Sequence, residues 1–409
     1  MRSGARTGWV VGTMLAGGLL LIAGRLATAA LETLPDMPPV VNAANLYSET
    51  AADHLSPAAA AALPRVYVPN LESNDVSVID PAQMKVVDRF PVGRDPQHIV
   101  PSWDLKTLWV TDNGRRSGEG SLTPIDPTTA KPGNPVHVED PYNLYFLPNG
   151  RSAIVVAERL RRLDFRDPSS MALQQSIQTP DCAGVNHADF AIDGKYAIFT
   201  CEFGGGLIKV DMVNRKVIGR IRLSPSAVAD AEPFTPDGPL PDSAFCGGGM
   251  PQDIRISPDG KVFFVADMLA DGVYVVDGEQ FRQIGYIPTG IGTHGLYPSR
   301  DGTKLYVANR GSHSVRGRWR GPGSISVIDF ATRTVVANWP IPGGGSPDMG
   351  NVSADGKTLW LSGRYDNVVY AIDTGSGSIT TIPVGKEPHG LTVWPQPGRY
   401  SLGHTGNMR

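Results

Sequence analysis

The amino-acid sequence repeats one pattern seven times, and this repetition restricts the fold more than any other feature. A short strand entry recurs at PQHIVPSWD (96–104), PYNLYFLPN (141–149), VNHADFAID (185–193), PQDIRISPD (251–259), THGLYPSRD (293–301), PDMGNVSAD (347–355) and PHGLTVWPQ (388–396). Each entry is followed by a strand ending on a small or polar residue, as in LYVAN, and then by an apolar strand closing on aspartate, as in VSVID. The closing aspartates are read as Asp80, Asp126, Asp164, Asp211, Asp277, Asp329 and Asp373. A fourth strand such as KVVDRFPVG completes the unit. Four short strands repeated about every 42 to 45 residues mark the blades of a propeller. Turns such as PDGK and RDGTK require antiparallel neighbours, which disfavours a parallel solenoid. The expected fold is all-β, a seven-bladed β-propeller with four-stranded antiparallel blades.

Two intervals are stretched, one by an insertion at about 224–247 and one by a basic loop at about 311–323. The repeated region opens on RVYVPN (65–70), a second-strand motif, while the last strand entry lies near residue 390. N- and C-terminal strands should therefore share one blade and close the ring, which removes open sheet edges. RYSLGHTGN (399–407) also reads as a second-strand motif and competes with RVYVPN for that place. Through VYVPN, LYVAN, VSVID, SVIDFATRTVV and ISPDGK, residues 64–409 resemble the YVTN family of seven-bladed β-propeller repeat proteins, within the cytochrome d1/YVTN-like propellers. The resemblance implies the fold. It implies no single function, because the motif residues are structural and function resides in sites grafted on a fold.

The region before the repeats differs in kind. Arg2 and Arg6 precede an uncharged apolar run at 8–24, and Ala27-Thr28-Ala29 follows as a cleavage pattern. Residues 1–29 read as a secretory signal, with an uncleaved membrane anchor as the alternative. Both place the body outside the cytoplasm: secreted, periplasmic or tethered to a membrane. Residues 30–63 are rich in Pro and Ala and read as a linker or a short packing arm. A net charge of −3 supplies no basic field for nucleic acid.

In a propeller, strand entries ring one mouth of the central channel. The two positions after each entry are Gln97-His98, Tyr142-Asn143, Asn186-His187, Gln252-Asp253, His294-Gly295, Asp348-Met349 and His389-Gly390. His98, His187, Asp253, His294, Asp348 and His389 are the candidate ligand-binding residues, since polar groups converging on a concave mouth are the usual place for a ligand. The competing reading is that each histidine bonds a backbone carbonyl and keeps the blades in register. Arg316, Arg318, Trp319 and Arg320 lie in the basic loop at the same mouth and could hold an anion, a sugar or a base. The acidic insert at 229–245 is expected either to cover part of that mouth or to form a surface loop.

The chain has three cysteines, Cys182, Cys201 and Cys246. With His187 and Met250 they form a candidate copper or zinc set. The favoured alternative is a Cys182–Cys201 disulfide with Cys246 free, as export permits. The VID aspartates read as turn caps. No CxxCH, GxSxG, HExxH or Walker motif occurs. The functional expectation is a noncatalytic scaffold that binds a protein, a cell-envelope component or a small molecule through its His-lined mouth. The alternative is a copper or zinc protein, or a propeller lyase or hydrolase using channel His, Cys and Asp residues.

Overall fold

The computed structural model describes residues 31–114, 119–225, 249–315 and 321–409, together with Met1, Gly4, Ala5, Thr7 and Gly8. The N-terminal apolar run beyond Gly8 with its cleavage pattern, the acidic insert and the loop residues Arg316, Arg318, Trp319 and Arg320 lie outside them.

Residues 65–409 form the expected seven blades, each an antiparallel sheet. Blade 1 begins with Pro96–Pro101, blade 2 with Pro141–Phe146 and blade 3 with Val185–Phe190. Blades 4, 5 and 6 begin with Pro251–Ile256, Thr293–Pro298 and Pro347–Val352. Blade 7 joins the inner strand Thr392–Trp394 to Arg65–Asn70, Asp75–Asp80 and Lys85–Pro91. RVYVPN thus takes the contested place, pairing Arg65 with Trp394 and Tyr67 with Thr392.

RYSLGHTGN goes elsewhere. Ser401–Gly403 adds to the inner edge of blade 2, where Gly403 faces Tyr145, and Asn407–Met408 pairs back on it. The short 3-10 turn His404–Gly406 packs against inner strands of blades 1, 2, 6 and 7. The C-terminal segment therefore occupies the axial channel. Asn407 and Arg409 hold it there by donating to the buried Asp189 carboxylate, both at 2.9 Å.

The core is divided among the blade interfaces. Leu207, Ile221, Ile254, Phe263 and Val265 pack between blades 3 and 4, and Tyr297, Ala308, Ile325, Leu359 and Leu361 between blades 5 and 6. Both faces of the second and third strands are largely buried, which explains their near-continuous apolar runs, while the fourth strands are largely exposed. The arm at 33–63 runs across the base of the ring. Leu34 N donates to Asp193 O, Leu46 N to Pro258 O and Leu63 N to Pro127 O, and Leu34, Leu46 and Tyr47 are buried.

The closing aspartates cap turns as expected. Asp80 accepts from Ala82 N, Asp211 from Val213 N and Asp329 from Thr332 N. Blade 2 corrects the alignment. There Asp167 is the cap, accepting from Ser169 N and Ser170 N. Asp164 sits in mid-strand, buried between Arg162 and Arg166. The motif in this blade is RLDFRD, three residues later than the reading that ended on Asp164.

The last residue of each second strand shows how one position can be filled in several ways. Asn70 and Asn309 donate to Ser77 and Ser326 of the neighbouring strand. Blade 1 has Asp112 there, accepting from Ser121 and Thr123 hydroxyls at 2.9 and 2.6 Å. Burial raises its pKa to about 7. A carboxylate whose folded pKa is raised binds its proton more tightly in the native state, so stability falls as pH rises from about 4 to about 7. Asp112→Asn removes that loss and places the blade 7 and blade 5 residue in blade 1. The expected result is a higher melting temperature than wild type at pH 8, with the difference shrinking towards pH 4. Thermal unfolding across that range reads it, on a scale of about 1.4 kcal/mol per unit of pKa displacement.

Candidate functional site

Inner strands open with a break in register: in blades 1, 2 and 5 it leaves one residue outside the ladder, Gln97, Tyr142 or His294, and in blades 3, 4 and 6 it leaves two. Asn186 and His187 fall between the pairs Val185–Cys201 and Ala188–Phe199. Gln252 and Asp253 fall between Pro251–Asp267 and Ile254–Val265, and Asp348 and Met349 between Pro347–Gly363 and Gly350–Leu361. A bulge re-aims side chains. The side chains around it that face the channel end in two tiers.

The upper tier faces a cavity of about 620 Å³, lined by Gln97, Tyr142, Gln252, His294 and His389. Residues just beyond the second strands complete the wall: Glu158, Glu202, Arg310 and Arg364, with Arg159, Phe203, Met250 and His313 beside them. The sequence reading missed this second set. Its signal was present in the charged residue that follows the second-strand motif in four blades, as in LYVANR.

One buried carboxylate organises the wall. Asp348 Oδ1 accepts from Arg310 Nε at 3.1 Å and Nη2 at 2.6 Å, and lies 2.9 Å from His294 Nδ1. His389 Nδ1 is 2.7 Å from Oδ2, and Arg364 Nη1 is 3.7 Å from it. Burial alone would raise the pKa of Asp348, but Arg310, His294 and His389 outweigh it and hold the group ionised, well below the usual carboxylate range. Burial and the Arg310 charge lower His294 to about 4. Burial and the Arg364 charge lower His389 to about 3. Both rings are therefore neutral at pH 7; His389 donates Nδ1–H to Asp348, and His294 Nδ1 lies beside the same carboxylate. His294 Nε2 accepts from Arg310.

Some buried polar atoms of the wall have no partner among the described residues: Gln97 Oε1, Gln252 Oε1 and Arg364 Nε. The Gln252 amide is spent on Glu202, which it meets at 3.1 Å.

The lower tier corrects the expectation of a single ring. His98 and His187 are buried beneath the cavity and do not line it. Asp253 is structural: it accepts from Ile254 N and from Leu296 N of the next blade, both at 2.9 Å, beside Arg255 at 3.3 Å. The four histidines singled out from sequence nonetheless form one chain of rings. Centroids are 5.5 Å apart for His98–His187, 4.7 Å for His98–His389 and 6.1 Å for His294–His389. A fifth ring was not foreseen. His404, delivered by the C-terminal segment, lies 4.1 Å from His98 and 4.5 Å from His187. Nothing in its local sequence distinguishes it, because its place depends on where the displaced strand goes.

Of the two readings of the cysteines, the structure has the favoured disulfide. Cys182 and Cys201 form a disulfide, so neither offers a thiolate. The pairing follows from the fold, since Cys201 ends the second strand of blade 3 opposite Val185 and Cys182 precedes the inner strand. Cys246 lies outside the described residues. Met250 lines the mouth cavity and its N–H donates to Asp267.

Comparison with known proteins agrees with this architecture. A family model described as YNCE-like beta-propeller matches residues 25–179 and 244–397. No curated protein matches the chain. Among solved structures, the chain is similar to a functionally unknown protein from Desulfotomaculum acetoxidans DSM 771, with 14% identity, a TM-score of 0.58, and coverage of 81% of this chain and 99% of that one. It is similar to a putative 6-phosphogluconolactonase from Bacteroides uniformis ATCC 8492, with 17% identity, a TM-score of 0.57, and coverage of 80% and 98%. It is also similar to the dihydro-heme d1 dehydrogenase NirN, with 15% identity, a TM-score of 0.55, and coverage of 80% and 75%. At these identities the likeness extends to the fold alone. With the family model covering most of the chain and seven blades in place, this protein belongs to the YNCE-like β-propeller family.

Proposed function

We propose that this protein is an exported, noncatalytic binding propeller whose mouth cavity takes a small polar ligand carrying both an anionic group and hydrogen-bond donors. The observation that carries the reading is the set of unpaired polar atoms at Gln97, Gln252 and Arg364 on the wall of a cavity of about 620 Å³. Buried polar groups without partners are costly, and a ligand that satisfies them recovers that cost on binding. The two carboxamide oxygens call for donors, and the guanidinium N–H calls for an acceptor or an anion.

Binding is favoured over acid–base catalysis because the two histidines bound to Asp348 are poor bases. With pKa values near 4 and 3, His294 and His389 lie far from the range in which an imidazole exchanges protons efficiently at neutral pH. Export is supported by the signal-like N-terminal sequence and by the Cys182–Cys201 bridge, which suits an oxidising compartment.

Thermal shift of the full chain against small hydroxy- and amino-carboxylates, phosphates and neutral sugars tests the mouth. The anionic members should stabilise the protein and the neutral sugars should not. Gln97→Leu should leave the unliganded melting temperature unchanged or raise it, because an unpaired polar group is removed. It should weaken the ligand at least about tenfold, the scale of one hydrogen bond lost to a charged or polar partner. Equal affinity in wild type and variant would remove the basis of the assignment. The compartment is tested separately by alkylating the native protein before and after reduction. Mass spectrometry should find one reactive thiol, Cys246, before reduction and three afterwards.

A further inference from the structure

Beneath the mouth cavity, three buried imidazoles meet that the binding wall does not use. His98 comes from blade 1, His187 from blade 3 and His404 from the C-terminal segment. One ring nitrogen from each lies within 4.8 Å of the other two. His98 Nδ1 and Nε2, His187 Nε2 and His404 Nε2 have no hydrogen-bond partner among the described residues. Four unpaired nitrogens on three adjacent buried rings are hard to account for as packing, because each forfeits its hydration without return.

We propose that His98, His187 and His404 hold a single copper ion, as Cu(I). Ring nitrogens about 2.0 Å from a trigonal ion stand roughly 3.5 Å apart, so side-chain rotations of about an ångström complete the site. Burial keeps all three rings neutral, the ligand form. The choice of ion follows from charge. No carboxylate or thiolate belongs to the set, the nearby Asp348 is committed to Arg310, and the Arg255 cation acts on both His187 and His404. Burying a charge without a counter-ion costs in proportion to the square of the charge, so a monovalent ion is admitted far more readily than Zn(II). Imidazole ligands suit copper.

The site has a visible outer layer. Asn143 Nδ2 lies 3.2 Å from His187 Nδ1 and 3.3 Å from the Tyr145 hydroxyl. Coordination through His187 Nε2 leaves its proton on Nδ1. Asn143 Oδ1 accepts from Leu144 N at 2.9 Å, which holds the carboxamide with Nδ2 towards the ring. Asn143 thereby positions the His187 ring, and coordination at Nε2 requires it to exchange the Leu144 bond for one to the Nδ1 proton.

The test uses the full chain carrying Cys246→Ser, so that no free thiol competes, with the disulfide intact and no thiol reductant. Anaerobic titration with Cu(I) against a chromophoric chelator should give one equivalent per chain and a raised melting temperature. His187→Asn and His404→Gln should each weaken binding about 100-fold, while His54→Gln leaves it unchanged. X-ray absorption on the Cu(I)-loaded Cys246→Ser chain should show nitrogen scattering from imidazole. This measurement stands even where a histidine variant fails to fold. Absence of both stoichiometric binding and a melting shift overturns the proposal. So does sulfur in the coordination sphere, Cu(I) affinity unmoved by the histidine changes, or tighter binding of Zn(II) than of Cu(I).

Discussion

Three residue pairs close the ring, and the site depends on them. Arg65, Val66 and Tyr67 lie against Trp394, Val393 and Thr392, so that strands from opposite ends of the chain make one sheet. Once the circle is closed, each inner strand is held at a fixed distance from the next, and polar side chains bridge the gaps. Tyr145 hydroxyl accepts from Ala188 N, Asp189 from Ile256 N, Asp253 from Leu296 N, Tyr297 hydroxyl from Gly350 N and Asn351 from Val393 N. Each of these is a backbone donor that would otherwise be buried unpaired. The channel wall is thus specified by a relay of hydrogen bonds from blade to blade, and not by apolar packing alone.

On that wall the electrostatics separate into two regimes. At the mouth, Asp348 concentrates two guanidiniums and two imidazoles around one ionised carboxylate, giving a rigid, charged surface with unpaired atoms beside it. Deeper, beneath His389, the rings of His98, His187 and His404 meet without any carboxylate contact of their own. Both tiers come from the start of the inner strands. The first residue after an entry, as at Gln97 or His294, reaches the mouth, and the second, as at His98 or Asp253, lies deeper.

Most of the architecture was legible because a propeller writes its strands into a repeat. The seven entries, the caps at Asp80 or Asp329 and the closure of the ring by strands from both ends follow from local rules of turn chemistry and strand alternation, whereas the choice of RVYVPN over RYSLGHTGN does not. Asp164 misled because an arginine-flanked aspartate in mid-strand mimics a closing residue, and only the register shows that Asp167 makes the turn. The tiers were only half legible: His98 is the second residue after its entry and His294 the first, but which position faces the wall and which goes beneath it depends on backbone pairing at the start of the strand. His404 was still less accessible. Its neighbours read as a strand, and only the loss of that strand's place in blade 7 sends it into the channel.

The C-terminal segment gives the molecule an order of assembly. Blade 7 stays incomplete until Thr392–Trp394 has been made and returned to the first strands, and His404 follows ten residues after Trp394. The deep tier therefore cannot form on a partly synthesised chain, however well its earlier blades have folded. Five rings come together in the channel, and the one that completes the set is the last to leave the ribosome. In this propeller, the centre of the structure is finished after its circumference.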